Sequence, residues 1–220
     1  MLSPKILVVT AGLSEPSATA LLGEQLAQSV QDSLQKLGFE AQIDTVSLRH
    51  IAQEVTNHYL TGFPTGKLVG VLEAVKAADA IIAVSPTFKA SYTGLFKSFW
   101  DLVDDDAMAG KPVLVAATGG TARHSLMIDT SMRPLFSYFK AQVVPTGVFA
   151  ATDDFGGDTS MQGRILRASE ELAQVIAWKS GAQPAAVGAI EDVPVEMQEH
   201  PINQKVGLSV TPFEQLLKGA

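Results

Sequence analysis

Pro112-Val-Leu-Val-Ala-Ala117 is apolar at every position and runs without a break into Thr118-Gly-Gly-Thr-Ala-Arg-His124. Such a run has no polar face, so it suits a strand buried on both sides better than one half-exposed to water. A parallel sheet with helices packed on both faces provides that environment. Residues 5–10, 80–85 and 142–149 are runs of the same kind, rich in Val, Ile and Ala. Residues 41–47 instead alternate Ala41, Ile43 and Thr45 with Gln42 and Asp44, which predicts an edge strand. Helical spacing fills the intervals at residues 17–37, 68–78, 94–103, 125–141 and 161–178. The first of these carries Leu21, Leu22, Leu26, Val30, Leu34 and Leu37, with Gly38 as its stop. Repeated strand–helix alternation predicts an open α/β sheet with right-handed crossovers. Ligands of such sheets bind at the carboxyl ends of the strands. The loops after Thr10, Ser85, Ala117 and Phe149 are therefore the ones to search.

Composition narrows the function. The chain has 220 residues, 46% of them apolar, with 16 Lys+Arg against 23 Asp+Glu and a net charge of −7. That length suits one domain whose core needs no covalent staple. The acidic balance argues against a general nucleic-acid binder, which needs a basic face. Without cysteine there is no disulfide, no thiolate nucleophile and no Cys-ligated metal. No apolar run approaches the roughly 20 residues of a membrane span. Met1-Leu-Ser-Pro4 leads into strand-like sequence with no signal-peptide pattern, so a soluble, cytoplasmic protein is expected. From Ser180 the composition turns rich in Gly, Ala and Pro and loses periodicity, which predicts an extended tail ending in a short amphipathic piece at 212–218.

Three loops carry the candidate chemistry. In Thr10-Ala-Gly-Leu-Ser14-Glu-Pro-Ser17-Ala18-Thr19, hydroxyls meet a predicted helix N-terminus, whose free N–H groups and dipole favour an anion. Simple N-capping by Ser17 is the alternative reading. With Gly12 alone, it is not the dinucleotide fingerprint. Ser85-Pro86-Thr87-Phe88-Lys89-Ala90-Ser91-Tyr92-Thr93-Gly94 sets an aromatic beside small residues, which suits the edge of a flat heteroaromatic ring or else an ordinary turn. Gly119 and Gly120 allow a planar ligand to lie against bare backbone, or merely redirect the chain. Three such loops on one sheet edge argue together for a ligand.

Other motifs fall away. Gly62-Phe-Pro-Thr-Gly-Lys-Leu68 is one residue too short for a Walker loop and lacks its Ser/Thr. Asp101, Asp104, Asp105 and Asp106 read as a solvated acidic patch, and Asp153, Asp154 and Asp158 as part of a flexible loop. The four histidines show no metal spacing, so no metal site is expected, and no Ser sits in a hydrolase elbow.

Together the loops resemble those of the NAD(P)H-dependent FMN reductases of flavodoxin-like fold. The likeness is to the alkanesulfonate-type enzymes and, more nearly, to the reductases that partner luciferase-like monooxygenases. It rests on Ala117-Thr-Gly-Gly-Thr-Ala-Arg-His-Ser-Leu-Met-Ile-Asp129, Met132-Arg-Pro-Leu135, Lys140-Ala-Gln142, Gly147-Val-Phe-Ala150 and the loop from Pro86 to Gly94 with Phe96-Lys97. The resemblance implies a three-layer α/β sandwich with a five-stranded parallel sheet of order 2-1-3-4-5. Residues 1–180 would form the FMN-binding domain and 181–220 the tail.

By the same resemblance Ser14, Ser17, Ala18 and Thr19 would hold the FMN phosphate. Pro86, Thr87, Phe88 and Lys89 would flank the isoalloxazine, and Thr118, Gly119 and Gly120 would hold its other edge. Arg123 and His124 are the candidates for the nicotinamide nucleotide, NADPH or NADH. The first loop departs from the family's Gly-Ser-x-Arg opening, having Leu13 and no arginine, so hydroxyls and N–H groups would carry the phosphate alone. Thr130 stands where some sulfonate-pathway relatives carry an aromatic. The implied activity passes hydride from nicotinamide C4 to flavin N5 and needs no catalytic acid or base. Reduced FMN would go to a flavin-dependent monooxygenase.

The resemblance also implies a homodimer or homotetramer through residues 125–141, whose Met127, Ile128, Met132, Leu135, Phe136 and Phe139 exceed what one buried face needs; a partner or burial under the tail would account for them. A quinone or azo reductase, and a non-enzymatic flavodoxin-type electron carrier, share the fold and remain open alternatives. A signalling receiver of the same sheet order is excluded, because Val9-Thr10-Ala11 and Val84-Ser85-Pro86 carry no carboxylate.

Overall fold

Neighbouring residues of a strand point to opposite faces, and in Lys5–Thr10 (β1) both sets are buried. Ile6 and Val8 pack into one apolar layer, Leu7 and Val9 into the other. The computed structural model describes residues 3–156 and 159–181. The tail expected over 181–220 lies, except for Gly181, outside the described residues.

In chain order the elements are β1, α1 (Ala18–Lys36), β2 (Gln42–Ser47), α2 (Ala52–Thr61), α3 (Lys67–Ala77), β3 (Ala80–Pro86), α4 (Gly94–Trp100), α5 (Asp105–Met108), β4 (Pro112–Gly119), α6 (Arg133–Tyr138), β5 (Gln142–Val143), β6 (Val148–Ala151) and α7 (Thr159–Lys179). All sheet pairings are parallel and the order is β2-β1-β3-β4-β5, with β6 pairing further along β4. Val8 thus lies between Thr45 of β2 and Ile82 of β3. As its alternation predicts, β2 is the edge strand and wholly lacks buried residues.

One layer joins α1 and α7 to the sheet through Leu22, Leu26, Val30, Leu34, Leu172 and Ile176. The other holds α2 to α6 and an aromatic cluster in which Trp100 meets Phe136 edge-on at 4.9 Å and Phe99 at 5.2 Å. These rings dominate the burial on that face. The three-layer flavodoxin-like arrangement expected from the resemblance is therefore the fold.

Four local expectations are corrected. The single strand at 142–149 is broken into β5 and β6, because Pro145 has no N–H for the ladder. The intervening groups are satisfied by side chains instead. The N–H and Oγ1 of Thr146 donate to Glu171 at 2.7 Å each, and Arg133 donates to the carbonyls of Val144 (2.9 Å) and Pro145.

In place of the single helix at 125–141 stand a turn of π-helix (Ile128–Met132) and α6, preceded by a 3₁₀ turn at Ala122–His124, since Pro134 removes a helical hydrogen bond. The segment's six apolar residues are all buried in this chain's own core, so they are no surplus surface; Leu126 and Tyr138 are the exposed ones, at 67% and 73%. Residues 152–156, expected as flexible loop, form a 3₁₀ turn in which Asp154 accepts from the Ala151 N–H at 2.8 Å. Finally, α2 has no counterpart in the sequence pattern, because Val55 is its single buried residue.

Candidate functional site

Ser17 ends the first loop as the N-cap of α1: its backbone is extended and its hydroxyl accepts from the Ala20 N–H at 3.1 Å. Capping leaves the N–H groups of Ala18 and Thr19 without a partner among the described residues. They form, with the helix dipole, an anion seat. The chain folds back tightly here because position 12 is glycine: a Cβ there would stand 2.1 Å from Ser17 Oγ. Thr19 is buried and its hydroxyl meets that of Thr118 at 2.9 Å, which ties the start of α1 to the end of β4 across the sheet edge.

The second loop leaves β3 at Pro86. The Thr87 N–H donates to the Thr118 carbonyl at 2.7 Å, so the ends of β3 and β4 stay adjacent. Phe88 and Ser91 then exchange both backbone bonds, at 2.8 and 3.1 Å, across a two-residue turn. Lys89 and Ala90 at its tip adopt φ of 49° and 67°, a type I′ geometry that usually recruits glycine or asparagine. The turn holds Phe88 half-exposed above the sheet edge. At Gly119 a Cβ would meet Phe149 Cζ at 2.7 Å and Thr87 Oγ1 at 3.3 Å, so the third loop offers bare backbone because nothing larger fits.

One cavity of about 820 Å³ joins these parts. Of the residues expected from sequence, it brings together Ser14, Ser17, Ala18, Thr19, Pro86, Thr87, Phe88, Thr118, Gly119 and Gly120. Lys89 is not in the lining and sits at the exposed tip of the turn. Arg123 and His124 are exposed on the 3₁₀ turn beyond Gly120, outside the cavity.

The lining also contains residues that the sequence reading passed over: Leu21, Glu24, Thr152 and Phe155 among them. Leu21 and Glu24 follow Ser17 at i+4 and i+7, so the helical period running on from the cap was their signal. Thr152 and Phe155 lie just past β6, in the loop after Phe149 whose acidic run was read as flexible. Arg164 pins that turn, lying 3.5 Å from Asp154 and donating to the Phe149 carbonyl at 3.4 Å.

The cavity suits a ligand with an anionic end at α1 and a flat ring at the β3 and β4 loops. Its size lies in the range of cofactor sites, roughly 300–1,000 Å³. FMN has that shape, and the donors present at the α1 end are hydroxyls and N–H groups, without the arginine of the family's first loop. Among the described residues no Lys, Arg or His lines the cavity; Glu24 is its one charged side chain.

Comparison with known proteins agrees. Residues 4–156 match the family model described as NADPH-dependent FMN reductase. A Pseudomonas aeruginosa protein named FMN reductase (NADPH) is 35% identical, over 82% of this chain and 97% of its own length. The NADH-dependent FMN reductase SfnF of Pseudomonas putida is 36% identical, over 69% of this chain and 79% of its own. An X-ray structure of an oxidoreductase from Corynebacterium diphtheriae superposes with a TM-score of 0.78 at 42% identity, covering 80% of this chain and 98% of that one.

Proposed function

The chain belongs to the family of NADPH-dependent FMN reductases, and we propose from that premise that it takes up free FMN, reduces it with NADPH or NADH, and releases it to a flavin-dependent monooxygenase. It is an NAD(P)H:FMN oxidoreductase of flavodoxin-like fold. One observation carries the reading: an anion seat and a glycine-lined slot open into the same cavity at the carboxyl edge of the sheet. FMN bound there supplies the hydride chemistry.

The residues supply position and polarity. Ser14, Ser17 and the N–H groups of Ala18 and Thr19 hold the phosphate. Thr87, Thr118, Gly119 and Gly120 hold the ring edge, where backbone N–H groups stabilise negative charge. Phe88 and Pro86 wall the ring, and Lys89 and Ala90 set the angle of Phe88. Arg123 and His124, exposed beside the slot, receive the nicotinamide nucleotide. No side chain is assigned as acid or base, because positioning two rings within contact supplies what hydride transfer needs.

The exposed Leu126 and Tyr138 support a homo-oligomer formed through the 122–138 segment. Among the described residues no helix is long and apolar enough to cross a membrane, and we place the enzyme in the cytoplasm.

The test is NADPH and NADH oxidation by the purified protein with and without free FMN. A rate that rises and saturates with FMN supports the reading, and adding a flavin-dependent monooxygenase with its substrate then yields oxygenated product. Turnover that needs a quinone or dye and ignores free FMN overturns it in favour of a different acceptor. Light scattering that returns a monomer removes the oligomer.

A further inference from the structure

Most phosphate sites pair the anion with Arg or Lys. This cavity does the opposite: Glu24 is the one charged side chain among its described lining residues. Glu24 has no ion pair or hydrogen bond within the described structure. It sits six residues past Ala18, so its Cα lies roughly 9 Å along α1 from the helix start. The Cα–Cβ bonds of a helix tilt toward the N-terminus, and a glutamate side chain is long. Glu24 also shares the face of α1 that carries Ser17, Ala20 and Leu21 into the cavity. The exposed side chain thus leaves the cavity-lining face within reach of the helix start, and no cation stands beside it among the described lining residues.

We propose that Glu24 sets the exchange of the flavin: its charge opposes the FMN phosphate held at Ala18 and Thr19, so that FMN binds as a substrate that leaves and not as a resident group. This rests on the FMN reductase reading and specifies which residue makes the flavin exchangeable. The neutral donors at the start of α1 hold the phosphate by geometry, and the carboxylate limits how tightly. Riboflavin lacks the phosphate and does not feel the carboxylate. The chain's net charge of −7 acts in the same direction.

Ionic strength separates this arrangement from a cation-paired site. Salt screens attraction and repulsion alike, with a Debye length falling from about 30 Å at 0.01 M to about 3 Å at 1 M. A cation-paired site loses FMN as salt rises; this one should keep or gain it.

The experiment measures dissociation constants for FMN and riboflavin, by quenching of flavin fluorescence, at low and high salt. The proteins are the native chain, Glu24→Gln and Glu24→Lys. Near-isosteric Gln on an exposed helical position preserves the fold, and circular dichroism checks it. At low salt, Glu24→Gln is expected to tighten FMN about fivefold, as expected for removing one repulsive charge in a water-like medium. Glu24→Lys should tighten it further. Both differences should shrink toward none near 1 M salt, and riboflavin should bind all three proteins alike. Unchanged or weakened FMN binding in Glu24→Gln overturns the proposal, the second by showing that Glu24 accepts a hydrogen bond from the flavin. An equal shift for riboflavin also overturns it. Failure of all three proteins to bind FMN overturns the reductase reading beneath it, so the two failures are distinct.

Discussion

The two ends of the cavity are built by opposite means. At the α1 end the backbone is relaxed: glycine occupies the crowded position 12, a hydroxyl caps the helix, and the free N–H groups are those any helix start leaves over. At the Phe88 end the backbone is strained, because Lys89 and Ala90 hold left-handed φ angles that side chains disfavour by about 1–2 kcal/mol each. The first end uses the commonest local rules of a helix start. The second exists because the cross-turn bonds between Phe88 and Ser91, and the tie from Thr87 to Thr118, over-determine it. A phosphate can be held by a relaxed device, since its three terminal oxygens accept donors from several directions. A ring edge demands a fixed wall, and strain accumulates where position must be exact.

Breaking the relaxed end costs most. Gly12→Ala puts a methyl where Ser17 Oγ now lies, so the cap is displaced and the loop shifts. A loss of about 3 kcal/mol is expected in urea unfolding, from the lost cap and the crowding together, with FMN affinity falling alongside. Thr118→Val keeps the shape but leaves the buried Thr19 hydroxyl without its 2.9 Å partner. An unsatisfied buried hydroxyl should cost about 1–3 kcal/mol, and the rise in the FMN dissociation constant should exceed that for riboflavin if the tie steadies the end proposed for the phosphate.

Ser17→Ala removes the cap alone; about 1 kcal/mol of stability should be lost, again with the phosphate-bearing flavin more affected. Ala90→Gly sharpens the contrast from the strained side. Relief of the left-handed φ should outweigh the added unfolded-state entropy, for a net gain of about 0.5 kcal/mol in unfolding free energy. No gain would mean that the turn is not strained at Ala90.

Much of this was legible in the residues. Runs apolar on both faces marked β1, β3 and β4, and the alternation at 41–47 marked the edge strand, since both patterns follow from which faces are buried. Ser17 and Thr19 stood at the helix start that follows the first strand, and Thr118, Gly119 and Gly120 just past the apolar run at 112–117, where an α/β sheet puts its ligands. Two of the misreadings share one cause. Pro134 and Pro145 each interrupt an otherwise consistent pattern, and the freed backbone groups find partners distant in sequence, such as Glu171 for Thr146. Likewise Phe136 and Phe139 looked surplus on one helix because the rings they pack with, Phe96 and Trp100, come from another element.

The sequence by itself determined the layered α/β class, the loops that line the cavity and the capped start of α1, because periodicity, capping and glycine placement are local properties of the chain. Tertiary structure alone decided that Thr152 and Phe155 join the cavity, that Lys89, Arg123 and His124 stay outside its lining, and that Glu24 is its one charged described side chain. Those outcomes depend on which strand ends are brought side by side, as when Thr19 meets Thr118 across 99 positions of sequence. Contacts of that span are fixed by how the layers pack, and no local pattern encodes them.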